Sequence, residues 1–188
     1  MSYSPNYNFD IVNRTKEILE ENFDYFKSKD KEVTFLINCL LGLIVTISEK
    51  EESNEKIFNS KIDDKFLELI PESVGFIDDQ NINLDFSNYD LIQIHVIEQN
   101  IAVNVFHKDC LKKKKKSWFI KNLRNGIAHQ NISPINENMQ WSGVRIHNIN
   151  YKKVKDFEIV FTVDELRKFA INLAELYLNQ NQTASDVK

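Results

Sequence analysis

The stretch Phe35-Leu-Ile-Asn-Cys-Leu-Leu-Gly-Leu-Ile-Val-Thr-Ile47 constrains this chain more than any other. It is too short to span a bilayer, which needs about 20 apolar residues in a helix. It reads as the body of a helix from Glu32 to Ser48 that is apolar almost all round. Such a helix sits in the middle of a bundle or in an interface. Gly42 in its interior costs about 1 kcal/mol of helix propensity, so close approach by another helix is expected there. Asn38 is expected as a buried amide satisfied by a neighbour. With 4 Gly and 3 Pro in 188 residues, the chain has little punctuation, which favours long helices over many short strands.

Hydrophobic periodicity extends this reading. Residues 1–8 are polar and frayed. Phe9, Ile11, Val12, Ile18, Leu19, Phe23 and Phe26 predict one amphipathic helix from Phe9 to about Lys27, followed by a polar turn at Ser28–Lys31. Glu49–Asn59 reads as a loop or frayed helix end. Lys61–Ile70 predicts a short helix stopped by Pro71. Val74–Ile77 and Ile82–Phe86 read as short extended pieces. Tyr89–Lys108 reads as a helix on length. A further helix is expected from Cys110 to about Ala128, with Trp118, Phe119, Leu123 and Ile127 as its apolar stripe. Gln130–Gln140, with Pro134, reads as a loop. Gly143–Asn150 and Phe157–Phe161 predict a hairpin burying Ile146, Ile149, Ile159 and Phe161. Thr162-Val-Asp-Glu165 is a capping-box sequence. It opens a last helix to about Leu178, with Leu166, Phe169, Ala170, Leu173, Ala174 and Tyr177 inward. Residues 179–188 read as a polar tail. The fold expected is mainly α: one domain over 1–188, ordered over about 9–178, with four or five main helices and a small hairpin before the last.

Charge narrows the function. The net charge of −4 argues against a protein that coats nucleic acid, but its distribution is uneven. Acids outnumber lysines between Glu49 and Asp90, whereas Asp109 is the only acid between Lys108 and Arg124. One patch can therefore hold phosphates while the rest repels them. The N-terminus has no apolar segment of a signal peptide. Cys39 and Cys110 have no paired spacing and fit buried thiols in a reducing cytoplasm. His95, His107 and His147 read as structural, with no metal-ligand spacing. No cofactor is indicated, and no glycine loop supports nucleotide hydrolysis.

The chemistry concentrates in Ser117-Trp-Phe-Ile-Lys-Asn-Leu-Arg-Asn-Gly-Ile-Ala-His-Gln130, which five lysines, Lys112–Lys116, precede. Arg124 is a permanent cation suited to clamping a phosphate. His129 can take and return protons near neutral pH. Breaking an RNA phosphodiester without a metal needs both functions. The two residues are five apart, however. On an ideal helix that separates them by about 140° and about 7.5 Å along the axis. Either the helix breaks at Asn125-Gly126, or a second copy supplies the missing partner.

The string Leu-Arg-Asn-Gly-Ile-Ala-His129 resembles the HEPN domain family, whose ribonuclease members carry Arg, a polar residue, then a His a few positions on. The apolar segment Phe35–Val45 and the stretch after the motif are similar to a bacterial and plasmid-borne subfamily. The resemblance runs from about Phe9 to Leu178. It implies a mostly antiparallel bundle and a homodimer whose two motifs share one composite cleft. In that cleft His129 would be general base or acid, Arg124 would hold the scissile phosphate, and Asn125 would orient a side chain or contact phosphate. Lys121, one turn before Arg124, would stand beside an adjacent phosphate, and Lys115 and Lys116 would bind or steer RNA. The resemblance also implies a toxin or phage-defence role, with an antitoxin or other regulator as a possible partner. Some HEPN toxins have a tyrosine two positions after the motif histidine, where this chain has Asn131. Two other readings stay open: a catalytically silent module binding RNA or a partner protein, and a plain dimerisation scaffold.

Overall fold

The computed structural model describes residues 7–48, 58–71, 74–76, 108–137, 139–151, 153 and 155–185. The expected helix Tyr89–Lys108, apart from its last residue, and the extended piece Ile82–Phe86 lie outside them, as does most of Glu49–Asn59.

Helix α1 (Tyr7–Glu21) buries Val12 and Leu19. The single helix expected to Lys27 is instead divided at Asn22, and α2 (Phe23–Lys27) follows. Asn22 explains the division. Its Nδ2 donates to the Ile18 carbonyl, which also receives the Asn22 backbone N–H, so its amide competes with the ladder. Helix α3 (Glu32–Ser48) has the predicted bounds. Val33, Leu36, Leu40, Leu43, Ile44 and Ile47 are buried, at the alternating three- and four-residue spacing of a core-facing stripe. Two expectations about α3 are corrected. Asn38 is exposed and donates to the Thr34 carbonyl within its own helix (2.8 Å). Among the described residues, nothing lies within 4 Å of where a Gly42 Cβ would stand.

Helix α4 (Asp64–Leu67) is capped by Asp63, whose carboxylate accepts the Phe66 N–H (2.9 Å). The helix expected over Cys110–Ala128 is also broken. Lys108–Lys113 form a 3-10 turn, Lys115 is extended, and α5 runs from Lys116 to Ala128. The lysine run would set like charges against each other three and four residues apart on a continuous helix. Instead its end pairs with the chain before α4: Ile62 N–H donates to the Lys114 carbonyl, and Lys116 N–H to that of Ser60.

The expected hairpin is the centre of a four-stranded antiparallel sheet. Strands β1 (Val74–Phe76), β2 (Ile132–Glu137), β3 (Gln140–Ile149) and β4 (Lys155–Thr162) lie in the order β1-β4-β3-β2. Residues 132–137 are thus a strand and not the loop predicted. Pro134, which has no N–H to offer, stands opposite Val144 on an edge strand, where proline is tolerated. Ile146, Ile159 and Phe161 are buried as expected, but Ile149 is 43% exposed. It directly follows the buried Asn148, so the strand's alternation turns it to the face opposite Ile146.

The last helix, α6 (Val163–Ser185), opens on the predicted box. Thr162 N–H donates to Glu165 Oε2 (2.8 Å), and Glu165 N–H to Thr162 Oγ1 (3.2 Å). It runs past Leu178, so most of the expected tail is helical. All six of its predicted inward residues are buried. Helices α1, α3 and α6 pack on one another, and α5 lies between α3 and β3. Phe119 joins the layers through edge-on contacts with Phe66 (5.7 Å) and Phe157 (5.5 Å), beside Phe169 (6.1 Å). No helix among the described residues is long and apolar enough to cross a membrane.

Candidate active site

Helix α5 carries the Arg-Asn…His string, and its buried side explains where those residues stand. Phe119, Ile120, Leu123 and Ile127 enter the core. Asn122 is buried with them. Its Nδ2 donates to the Trp118 carbonyl (2.9 Å), and its Oδ1 accepts from Asn148 Nδ2 on β3 (3.0 Å). Asn148 also donates to Asp156 (2.7 Å). This buried amide pair fixes the rotation of α5 against the sheet. Nothing in the sequence marks it, because the partners are far apart along the chain and neither belongs to a motif.

Gly126 brings the same helix closest to β3. A Cβ there would stand 2.7 Å from both the His147 carbonyl oxygen and Ile146 Cγ2. The glycine is therefore required by proximity. It has no positive φ, and α5 is continuous through Asn125 and Gly126, so the helix break considered from sequence does not occur.

The helix ends immediately after the motif in a Schellman arrangement. His129 is the C-cap residue, and Gln130 takes the left-handed conformation (φ 58°). The Asn131 N–H reaches back to the Gly126 carbonyl (2.9 Å) and the Gln130 N–H to that of Ile127 (3.0 Å). The Asn131 carbonyl then accepts the His147 N–H (3.0 Å). The backbone under His129 is thus tied to both α5 and β3, while its side chain is exposed.

On the outward side, Lys121 is exposed and Arg124 and Asn125 are half-buried. Among the described residues none of Lys121, Arg124, Asn125 or His129 has a side-chain hydrogen bond or ion pair. The Arg124 donor fork therefore has no partner among the described residues. Arg124 and His129 remain on different azimuths of one regular helix, about 140° apart.

The lysine run is divided by the fold. Lys116, read from sequence as a substrate contact, is only 4% exposed. Its Nζ lies 2.6 Å from Asp63 Oδ2 and 5.7 Å from the centre of the Phe66 ring. It tethers α5 to α4 and presents no charge to a ligand. Lys112 pairs with Asp64 (2.7 Å) and Asp109 (3.4 Å). The acids of α4 are distant in sequence and partly neutralise what reads there as a basic block. Lys115 stays exposed at the N-cap of α5. Partial burial pushes the Asp63 carboxyl up. Hydrogen bonds from Lys116 and the Phe66 N–H, with the Lys116 charge, outweigh this and hold it below its ordinary value.

His147 is half-buried. Burial lowers its pKa first, and the positive charges of Lys155 and Arg145 add to that against the opposing effect of Glu158. Because its neighbour Ile146 faces α5, strand alternation puts the His147 ring on the other side of the sheet from the motif. Cys39 is partly buried, and burial raises its thiol to about 11, which makes it a poor nucleophile. No group of three or more His, Cys, Asp or Glu side chains among the described residues is placed to hold a metal ion.

The Arg-Asn…His string carried by α5 is the feature by which the chain resembles a HEPN-type domain. The chain belongs to that class: the HEPN pEK499 p136 family matches it over residues 1–184. Neither the curated proteins nor the solved structures give a match.

Proposed function

We propose that this HEPN chain is an endoribonuclease that cleaves RNA by attack of its own 2′-hydroxyl, without a divalent metal, in a cleft shared by two copies. The supporting observation is a half-buried Arg124, with no carboxylate partner among the described residues, on the helix that ends at an exposed His129. His129 of one copy removes the 2′-hydroxyl proton. The 2′-oxygen bonds to phosphorus as the bond to the 5′-oxygen breaks, and His129 of the second copy returns a proton to that leaving oxygen. The products are a 2′,3′-cyclic phosphate and a 5′-hydroxyl. Arg124 holds the phosphate and stabilises the charge that builds on it. Asn125 orients the arginine or contacts phosphate, and Lys121 and Lys115 hold or steer the flanking strand. The family further supports a toxin or phage-defence effector. Asn131, in the position of the tyrosine found in some HEPN toxins, argues that any regulator acts elsewhere on the chain.

The test is incubation with labelled RNA and its all-deoxy equivalent in excess EDTA. RNA is expected to be cut and the deoxy strand spared. His129→Ala should lower the rate by about 10²–10⁴-fold and Arg124→Ala by about 10²–10³-fold. Equal cleavage by wild type and both variants, or RNA binding with no cleavage by wild type, would sink this reading. The second result would favour a silent RNA-binding module.

A further inference from the structure

Outside the motif, the turn between β3 and β4 holds an aromatic ring almost wholly in solvent: Tyr151 is 88% exposed. The turn lies in an acid-free stretch. No Asp or Glu occurs from Met139 to Lys155, whereas Arg145, Lys152, Lys153 and Lys155 do. The next acid, Asp156, is engaged by the buried Asn148 (2.7 Å), and Lys155 is taken up by the buried Glu158 (2.7 Å). Lys153 is exposed and has no ion pair among the described residues.

The backbone alone does not call for these side chains. The Lys153 N–H donates to the Asn150 carbonyl (2.9 Å), which closes the turn with Tyr151 and Lys152 at its apex. Lys153 takes the left-handed conformation (φ 64°), which glycine or asparagine adopts at less cost. A lysine there does nothing for the turn, and what it supplies is a charge in solvent. The turn also stands at a definite place relative to the motif. The Phe157 ring on β4 is edge-on to Trp118 (5.9 Å), and Lys114 Nζ lies 5.3 Å from the Trp118 ring centre. Asn148, just before the turn, bonds Asn122, while Gly126 lies against Ile146 and His147. Strand β3 and helix α5 therefore run past each other in opposite directions. The motif is at one end of that contact, and the turn and the start of α5 are at the other. From Lys115 to His129 the helix spans about 21 Å.

We infer that the β3–β4 turn is a second RNA contact, at which Tyr151 stacks on an unpaired base of the flanking strand and Lys153 holds a phosphate. This rests on RNA as the ligand of the motif, as proposed above. An aromatic face in solvent accepts any unstacked base, and a lysine in an acid-free stretch suits phosphate. A duplex keeps its bases stacked and offers the ring nothing. The ligand class is therefore a single strand long enough to run the length of α5.

The test is binding of a labelled single-stranded oligoribonucleotide by fluorescence anisotropy, in a His129→Ala background so that the RNA stays intact. Tyr151→Ala should weaken binding roughly 5- to 150-fold, the contribution of one base–aromatic stack, and Tyr151→Phe should leave it unchanged. Lys153→Gly suits the turn better than lysine, so the fold is kept. It should still reduce the slope of log affinity against log salt by about 0.7, one phosphate contact on a single strand. A dinucleotide, too short to reach from the motif to the turn, should bind all these chains alike. Undiminished binding by Tyr151→Ala, or a loss as large on the dinucleotide, overturns the inference. An unchanged salt slope in Lys153→Gly overturns the lysine's part in it. The nuclease reading fails separately. Tyr151-dependent binding by a chain with His129 intact that never cuts RNA keeps this contact and loses that activity. Cleavage of the long strand with an unchanged KM in Tyr151→Ala does the reverse.

Discussion

Helices α5 and α3 each carry one interior glycine, and the two glycines have opposite surroundings. Gly126 lies against β3 with no room for a methyl group, whereas Gly42 has no described residue above it. The same residue in the same local conformation thus serves two ends. One lets a helix settle onto a sheet inside the chain, and the other leaves a bare patch on its outside. Helix propensity treats the two alike, so only tertiary neighbours tell them apart.

The largest expected effect comes from filling the tighter site. Gly126→Val drives two further methyls and a β-branch into β3 and should destabilise by about 3 kcal/mol, the upper part of the range for overpacking. At this chain length that corresponds to a melting temperature lower by roughly 6–12 °C. An unchanged melting curve would mean that α5 does not rest on β3 as described. Gly42→Ala should move the other way. At a concentration low enough to keep chains apart, it should stabilise by up to about 1 kcal/mol, read by urea unfolding. A clear loss of stability there would show that the glycine has a neighbour within its own chain.

The start of α5 supplies a smaller and pH-dependent contrast, since among the described residues α3 has no ion pair to anchor it. The Asp63 carboxyl is held below its ordinary value by Lys116 and the Phe66 N–H. A lowered folded-state pKa gives stability that is present above the unfolded-state value, about 3.9. It is lost as pH falls through the folded-state value. Asp63 is half exposed, so solvent screening keeps the contribution within about 1 kcal/mol. Asp63→Asn retains a capping oxygen but removes the charge. Wild type should exceed this variant in urea stability at pH 6, with the gap closing at pH 3. A gap that persists at pH 3 would mean the charge is not its cause.

The parts of the fold that were legible in sequence are those set by local periodicity and short motifs. The bounds of α3, the box at Thr162 and Glu165, the buried stripe of α6 and the paired strands β3 and β4 are of this kind. The parts that were hidden depend on distant partners. Lys112–Lys116 reads as the start of a helix, but backbone pairing with residues 60–62 holds its end extended, and Asp63 takes Lys116 into the interior. Ile132–Glu137 reads as a loop because Pro134 argues against a central strand, and only β3 beside it makes an edge strand possible. Close approach was expected at Gly42, where the apolar run suggested it, and is found at Gly126. The candidate site was legible as residue types and spacing. Which of its lysines stay in solvent was not, because the acids that neutralise them come from α4.

The central claim is that Arg124 of one copy and His129 of another act on the same phosphate. Mixing Arg124→Ala and His129→Ala chains, each inactive alone, tests it most directly, with subunit exchange confirmed by a size-tagged partner. The account predicts that the mixture regains cleavage above either variant alone but below wild type, because a mixed pair restores one arginine and one histidine to the shared cleft and lacks the second histidine of the proton transfer. A mixture that forms mixed pairs yet stays as inactive as either variant alone would contradict it.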